Sequence, residues 1–120
     1  MNRTSIRMPI EILLVVDDEA SMRPLEDQLT EVAPFQFIIE FASDITEATQ
    51  RLASKQFDVV LLDLTSGDGG VGLFRALKER AGETPIVVLA GLDDEEVAVQ
   101  AVAAGAQDYI VKGHVTNRYL

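Results

Sequence analysis

The sequence predicts a single α/β domain built on a doubly wound, five-stranded parallel sheet. Two observations carry that prediction. Five short apolar runs, most of them rich in β-branched residues, alternate with stretches whose apolar residues recur at helical spacing. The resulting order βαβαβαβαβ folds compactly only with right-handed crossovers that place helices on both faces of a parallel sheet. At 120 residues and 48% hydrophobic, the chain is long enough for one core.

The elements follow in order. Residues 1–9 read as a tail, and 10–120 as the domain, which is either cut from a longer protein or covered by something else where a fifth helix would pack. Ile10 to Val16 is a β-branched apolar run, as expected of a strand buried on both faces. Asp17-Asp18-Glu19-Ala20 forms a polar turn. A helix follows from about Ser21 to Val32, with Leu25, Leu29 and Val32 on one side and Pro24 tolerated in the first turn. Phe35 to Ala42 is the second strand. Ser43 or Asp44 caps a second helix carrying Ile45, Ala48 and Leu52. Asp58 to Leu62 is the third strand, followed by Asp63 and a glycine-rich loop from Thr65 to Gly72. The third helix carries Leu73, Phe74 and Leu77 and stops near Gly82. Pro85 to Leu89 is the fourth strand. Gly91 to Glu96 leads into a fourth helix, with acids at the positive end of its dipole, that closes around Gly105. Tyr109 to Val111 is the fifth strand. The remainder, Gly113 to Leu120, allows at most two helical turns.

Composition narrows the function classes. The net charge is −10, from 20 acidic against 10 basic residues, and no basic cluster relieves it. Such a chain repels nucleic acid and anionic membranes, so direct binding to either is not expected. No apolar run approaches the roughly 20 residues of a membrane helix, and the N-terminus does not read as a secretory signal. A cytoplasmic location is expected. Without cysteine there is no disulfide framework and no thiolate metal site.

Chemistry concentrates at strand ends. Asp17 and Asp18 follow the first strand, Asp63 the third and Lys112 the fifth. In an open parallel sheet the carboxyl ends of strands share one edge, so these four can meet. Two carboxylates ~4 Å apart repel by about 4 kcal/mol at an effective dielectric of 20. Three together make sense around a hard dication. Mg²⁺ suits them, since it takes oxygen ligands and accepts phosphate oxygens. Asp18 and Asp63 are the expected direct ligands, Asp17 binds directly or through water, and a carbonyl near Thr65 adds another oxygen. Lys112 can neutralise a phosphoryl charge as a point cation. Taken singly, each of these residues could equally be a solvated strand-end charge. Their coincidence is what points to a site.

These residues carry a family resemblance. Asp17-Asp18, Asp63, and Ala104-Gly-Ala-Gln-Asp-Tyr-Ile-Val-Lys112 resemble the receiver domain of bacterial two-component response regulators, a CheY-like domain, over Ile10 to Gly113. The resemblance implies the flavodoxin-like strand order 2-1-3-4-5. It implies that Asp63 accepts a phosphoryl group from a phosphohistidine on a sensor histidine kinase or a phosphotransfer protein. Asp17 and Asp18 are then the Mg²⁺ pair, Lys112 the phosphoryl contact, and Tyr109 the aromatic whose rotamer reports activation. An output domain or effector protein receives the signal. Any enzymatic activity is limited to self-catalysed phosphoryl transfer and hydrolysis.

The family pattern breaks in three places. The fourth strand normally ends in Thr or Ser, whose hydroxyl contacts the phosphoryl group; here the position is Ala90. A lost hydrogen bond to a charged group costs ~1.5–3 kcal/mol, so the switch is expected to be weakened or biased to one state. The loop after Asp63 has Gly67 and Val71 where Pro and Gly are usual. The fifth helix is short or absent, and an uncovered apolar face would invite a homodimer or a partner. Val97, Val99 and Val102 outnumber what one buried helix face needs; helix packing explains them more simply than a partner surface. The five phenylalanines read as core or near-core, and His114 as a surface residue.

Three rivals follow. A pseudo-receiver keeps the fold as an interaction module without the phosphate switch, as Ala90 suggests. Asp63-Leu-Thr65 is faintly similar to the nucleophile motif of haloacid-dehalogenase phosphatases, but the second Asp two residues on is missing. A flavodoxin-like electron carrier needs a hydroxyl-rich first loop, where this chain has Asp17-Asp18-Glu19.

Overall fold

The computed structural model describes residues 9–16, 23–24, 27, 37–64 and 70–111. Five parallel strands form one sheet: β1 (Ile10–Val15), β2 (Phe37–Ala42), β3 (Val59–Asp63), β4 (Ile86–Ala90) and β5 (Asp108–Val111). Their spatial order is β2-β1-β3-β4-β5, as the resemblance implies. Three helices have described bounds: α1 (Ile45–Ser54), α2 (Gly70–Ala81) and α3 (Glu95–Ala103), the last preceded by a 3₁₀ turn over Leu92–Asp94. Residues 23, 24 and 27 are helical, within the first helix expected from sequence. The rest of that helix, Phe35, and the whole segment after Val111 with its short or absent fifth helix lie outside the described residues.

Strand alternation sorts the core into two clusters. Leu13, Val60, Leu62 and Val88 project to the face packed by Ala48 of α1, Phe74 and Leu77 of α2, and Ala98 and Ala101 of α3. Ile12, Leu14, Leu61 and Leu89 project to the other face and pack with Phe37, Ile39 and Phe41 of the edge strand. The central strands are apolar on both sides for this reason. Four phenylalanines fit the core reading, 57 and 74 buried and 37 and 41 partly buried.

Local chemistry sets the helix ends. Asp44 caps α1: its backbone is extended, and its carboxylate accepts the Glu47 N–H at 2.8 Å. Glu47 reaches back to accept from the Ser43 N–H at 2.9 Å and the Ser43 hydroxyl at 3.0 Å. Helix α2 begins at Gly70, so the glycine-rich segment gives way to helix three residues before the sequence suggests; poor helix propensity at 70 and 72 masks this start. It ends before Gly82, whose φ of +63° suits a residue without Cβ. Helix α3 closes in a Schellman turn, with Gly105 N–H donating to Val102 C=O at 3.0 Å and Ala106 N–H to Ala101 C=O at 2.9 Å. Gly105 has φ +124°, and a Cβ there would meet Lys78 Cε at 2.8 Å, so the lysine stem of α2 lies over the end of α3.

The valines of α3 divide. Val97 packs against the helix-side core, but Val99 and Val102 are 49% and 37% exposed. Packing therefore does not explain those two, because the smaller Ala98 and Ala101 supply the buried stripe.

An ion-pair web ties α1 to the sheet. Glu40 of β2 meets Arg51 at 3.3 Å and Lys55 at 2.8 Å; Lys55 also pairs with Glu11 of β1, and Arg51 with Glu47 at 3.1 Å. Lys55, whose ammonium also sits 5.3 Å from the Phe57 ring centroid, has its pKa raised by Glu11 first and Glu40 second. The hydrogen bond from Lys55 lowers the Glu40 pKa, and the Ser43 backbone N–H, then Arg51, lowers that of Glu47.

Two outcomes follow from this packing. Phe74→Ala empties a fully buried site and should cost about 3–5 kcal/mol, read from urea unfolding. Because Glu40 and Glu47 titrate below their ordinary value in the fold, their stabilisation is complete above about pH 4.5 and is lost as pH falls through the lowered values. Thermal melts across that acid limb should show the decline, and Glu40→Gln should flatten it.

Candidate functional site

The carboxyl edge of the sheet is where the described candidate residues gather. Parallel pairing aligns the strand ends: Val15 lies opposite Leu62, Asp63 opposite Leu89, and Ala90 opposite Val111. The ladder runs on past β3, with Leu64 N–H donating to Leu89 C=O at 2.8 Å, and past β1, with Val16 N–H donating to Ala42 C=O at 3.1 Å. Asp63 is thus the last residue of the central strand rather than the first of a loop. It is 7% exposed, and among the described residues it is the one buried charged side chain. Aspartate is seldom buried, so a buried acid at a strand end marks a candidate site.

Ala90 ends the neighbouring strand and is fully buried. Its methyl group offers the edge no hydrogen-bonding atom. Tyr109 lies on β5 opposite Val88, with its ring packed on the helix-side core. Its hydroxyl donates to Glu95 Oε2, in the first turn of α3, at 2.9 Å. That bond raises the phenol pKa, helped by the Glu95 charge, then partial burial, then Asp108. The sequence offers no local signal for this pairing. Glu95 reads there as a dipole-favoured acid, and only the closure of β5 beside the start of α3 makes it a partner.

Of the residues expected at the site, Asp63 and Ala90 lie at the carboxyl ends of their strands, and Tyr109 lies opposite Val88, two residues before the end of β5. Asp17, Asp18, Thr65 and Lys112 lie outside the described residues, as do Gly67 and His114. The chain leads into 17 from Val16 and into 112 from Val111, at the same edge that holds Asp63 and Ala90. The donor set assigned from sequence consists of carboxylate and carbonyl oxygens, which fits a hard cation such as Mg²⁺. Among the described residues no helix is long and apolar enough to cross a membrane.

Known proteins share this arrangement. The family model for the response regulator receiver domain matches residues 13–119. The chain is 33% identical over 101 residues to the two-component response regulator PhoP of Pseudomonas aeruginosa, covering 83% of this chain and 44% of that protein. It is 37% identical over 101 residues to the transcriptional regulatory protein ResD of Bacillus subtilis, covering 83% and 41%. The chain thus spans less than half the length of either relative. Among solved structures, the FixJ-N crystal structure superposes with a TM-score of 0.71 at 27% identity, covering 88% of this chain and 83% of that one. NtrX from Brucella abortus superposes with a TM-score of 0.73 at 26% identity, covering 88% and 24%. With a family model spanning nearly the whole sequence, a sheet in the order 2-1-3-4-5 and an aspartate buried at the end of its central strand, this chain belongs to the response regulator receiver domains.

Proposed function

We propose that this receiver domain accepts a phosphoryl group on Asp63 from a phosphohistidine of a sensor histidine kinase or a phosphotransfer protein. The observation that carries the reading is the buried carboxylate of Asp63 at the carboxyl edge of the sheet. A carboxylate oxygen of Asp63 attacks phosphorus, the bond from phosphorus to the donor imidazole breaks, and an acyl phosphate forms. Water later attacks phosphorus, returning the carboxylate and inorganic phosphate. Asp17, Asp18, Asp63 and the Thr65 carbonyl would hold Mg²⁺, which when bound offsets the negative charge of the transferring group. Lys112 would neutralise phosphoryl oxygens from the β5 side.

The wider role belongs to the same proposal. Receiver domains pair with histidine kinases and with output domains, so a cytoplasmic position between a sensor and an effector suits this one. The acidic surface, −10 overall, argues against direct nucleic-acid or membrane contact by this segment. A homodimer would have to form without ion pairs centred on α3, which carries no Lys or Arg.

Ala90 favours a second reading, a pseudo-receiver that binds partners with a weakened phosphate switch. Its buried methyl group replaces the hydroxyl that would otherwise couple the phosphoryl group to β4. The two readings separate in one experiment. With acetyl phosphate and Mg²⁺, intact-mass spectrometry should show an acid-stable, base-labile phosphoryl gain that disappears in Asp63→Asn and on chelation. A protein that never gains the mass is a pseudo-receiver. In the phosphorylated protein, Ala90→Thr should enlarge the phosphorylation-dependent shift of the Tyr109 amide resonance; an unchanged shift would sever residue 90 from the switch.

A further inference from the structure

The bond between Tyr109 and Glu95 fixes an aromatic side chain that is otherwise held only by apolar contact. The ring packs against the helix-side cluster, to which Ala90 also belongs, while the hydroxyl sits at the surface 2.9 Å from Glu95 Oε2. The two residues are fourteen positions apart and belong to different elements, β5 and the first turn of α3. The strand beneath the ring is held independently, by its pairing with β4. Loss of the phenolic bond therefore frees the side chain without undoing the sheet.

The alternatives open to the ring are unequal. Outward, its hydroxyl meets a carboxylate, and hydrogen bonds to ionised acceptors are the stronger kind. Within the cluster on which the ring packs, Ala90 presents a buried methyl group and no acceptor. A bond made in only one of two positions biases the equilibrium between them by its own free energy. The helix contributes no rival cation for Glu95, since its sequence Glu-Glu-Val-Ala-Val-Gln-Ala-Val-Ala has neither Lys nor Arg. We infer that Glu95 is a positioning residue that latches Tyr109 outward, and that this contact sets the resting state of the β5–α3 edge. The raised pKa of the phenol, caused first by Glu95, accords with a proton held between them. The regulatory meaning of the latch rests on the receiver reading; the latch itself does not.

The test uses the unphosphorylated protein, so its result is independent of whether Asp63 accepts phosphate. The chain has two tyrosines and no tryptophan, and a Tyr119→Phe background leaves Tyr109 as the sole fluorophore. Three-bond couplings should report a single χ1 rotamer for Tyr109. Glu95→Ala should collapse them to averaged values and raise tyrosine emission, because an accepting carboxylate quenches the excited phenol. Glu95→Gln, whose amide oxygen still accepts, should retain the rotamer. Tyr109→Phe should match Glu95→Ala in ring averaging, and combining the two should add nothing. Glu95 is exposed, so all variants should keep wild-type helix content by circular dichroism. A single unchanged rotamer in Glu95→Ala would overturn the latch. If Asp63 gains no phosphoryl group while the variants behave as expected, the phosphorylation reading fails and the latch stands.

Discussion

The burial of β3 on both faces is the constraint on which the rest of the molecule depends. Val60 and Leu62 are fully buried against one layer and Leu61 nearly so against the other. A strand in that position can carry no charge along its length. It releases its first charge at the carboxyl end, where the sheet stops and ladder pairing with β4 still continues. Asp63 is therefore held by its pairing with β4 rather than by a loop. A side chain supported in this way keeps its position at small entropic cost.

How much of this was legible depends on what each feature rests on. Apolar runs revealed all five strands, since burial on both faces leaves a direct compositional trace. Their limits slipped by a residue because pairing, not hydropathy, decides where a strand ends: Asp58 is exposed and precedes β3, while Asp63 is buried within it. The start of α2 was hidden by glycines, whose weak propensity reads as loop even where tertiary packing makes them helical. The cap at Asp44 and the Gly105 turn were readable because each uses a residue type for one local job.

The site divides in the same manner. Residue types and positions at strand ends marked Asp63 and Ala90 for attention, since these are local facts of sequence. The Glu95 partner of Tyr109 left no such trace, because its meaning arises only when a strand closes beside a helix fourteen residues earlier. The valines of α3 lay between these extremes. Their excess was visible, but the assignment of burial to Ala98 and Ala101 needed the packed structure. Small residues on the inner face let the helix sit close to the sheet, and that closeness brings its first turn within reach of the phenol.

Strand β2 forms one margin of the sheet, with the sequence Phe-Ile-Ile-Glu-Phe-Ala and Ile38 41% exposed. A sheet margin is a template for another chain wherever nothing covers it. The only charge in the strand, Glu40, is already neutralised by Arg51 and Lys55, so it offers an approaching chain little repulsion. Colloidal protection must come from the charge of the whole molecule, which vanishes near the isoelectric point of about 4.4. Acidification thus first strips the domain of its long-range repulsion and then, as Glu40 protonates below its ordinary range, loosens the tie between this margin and α1.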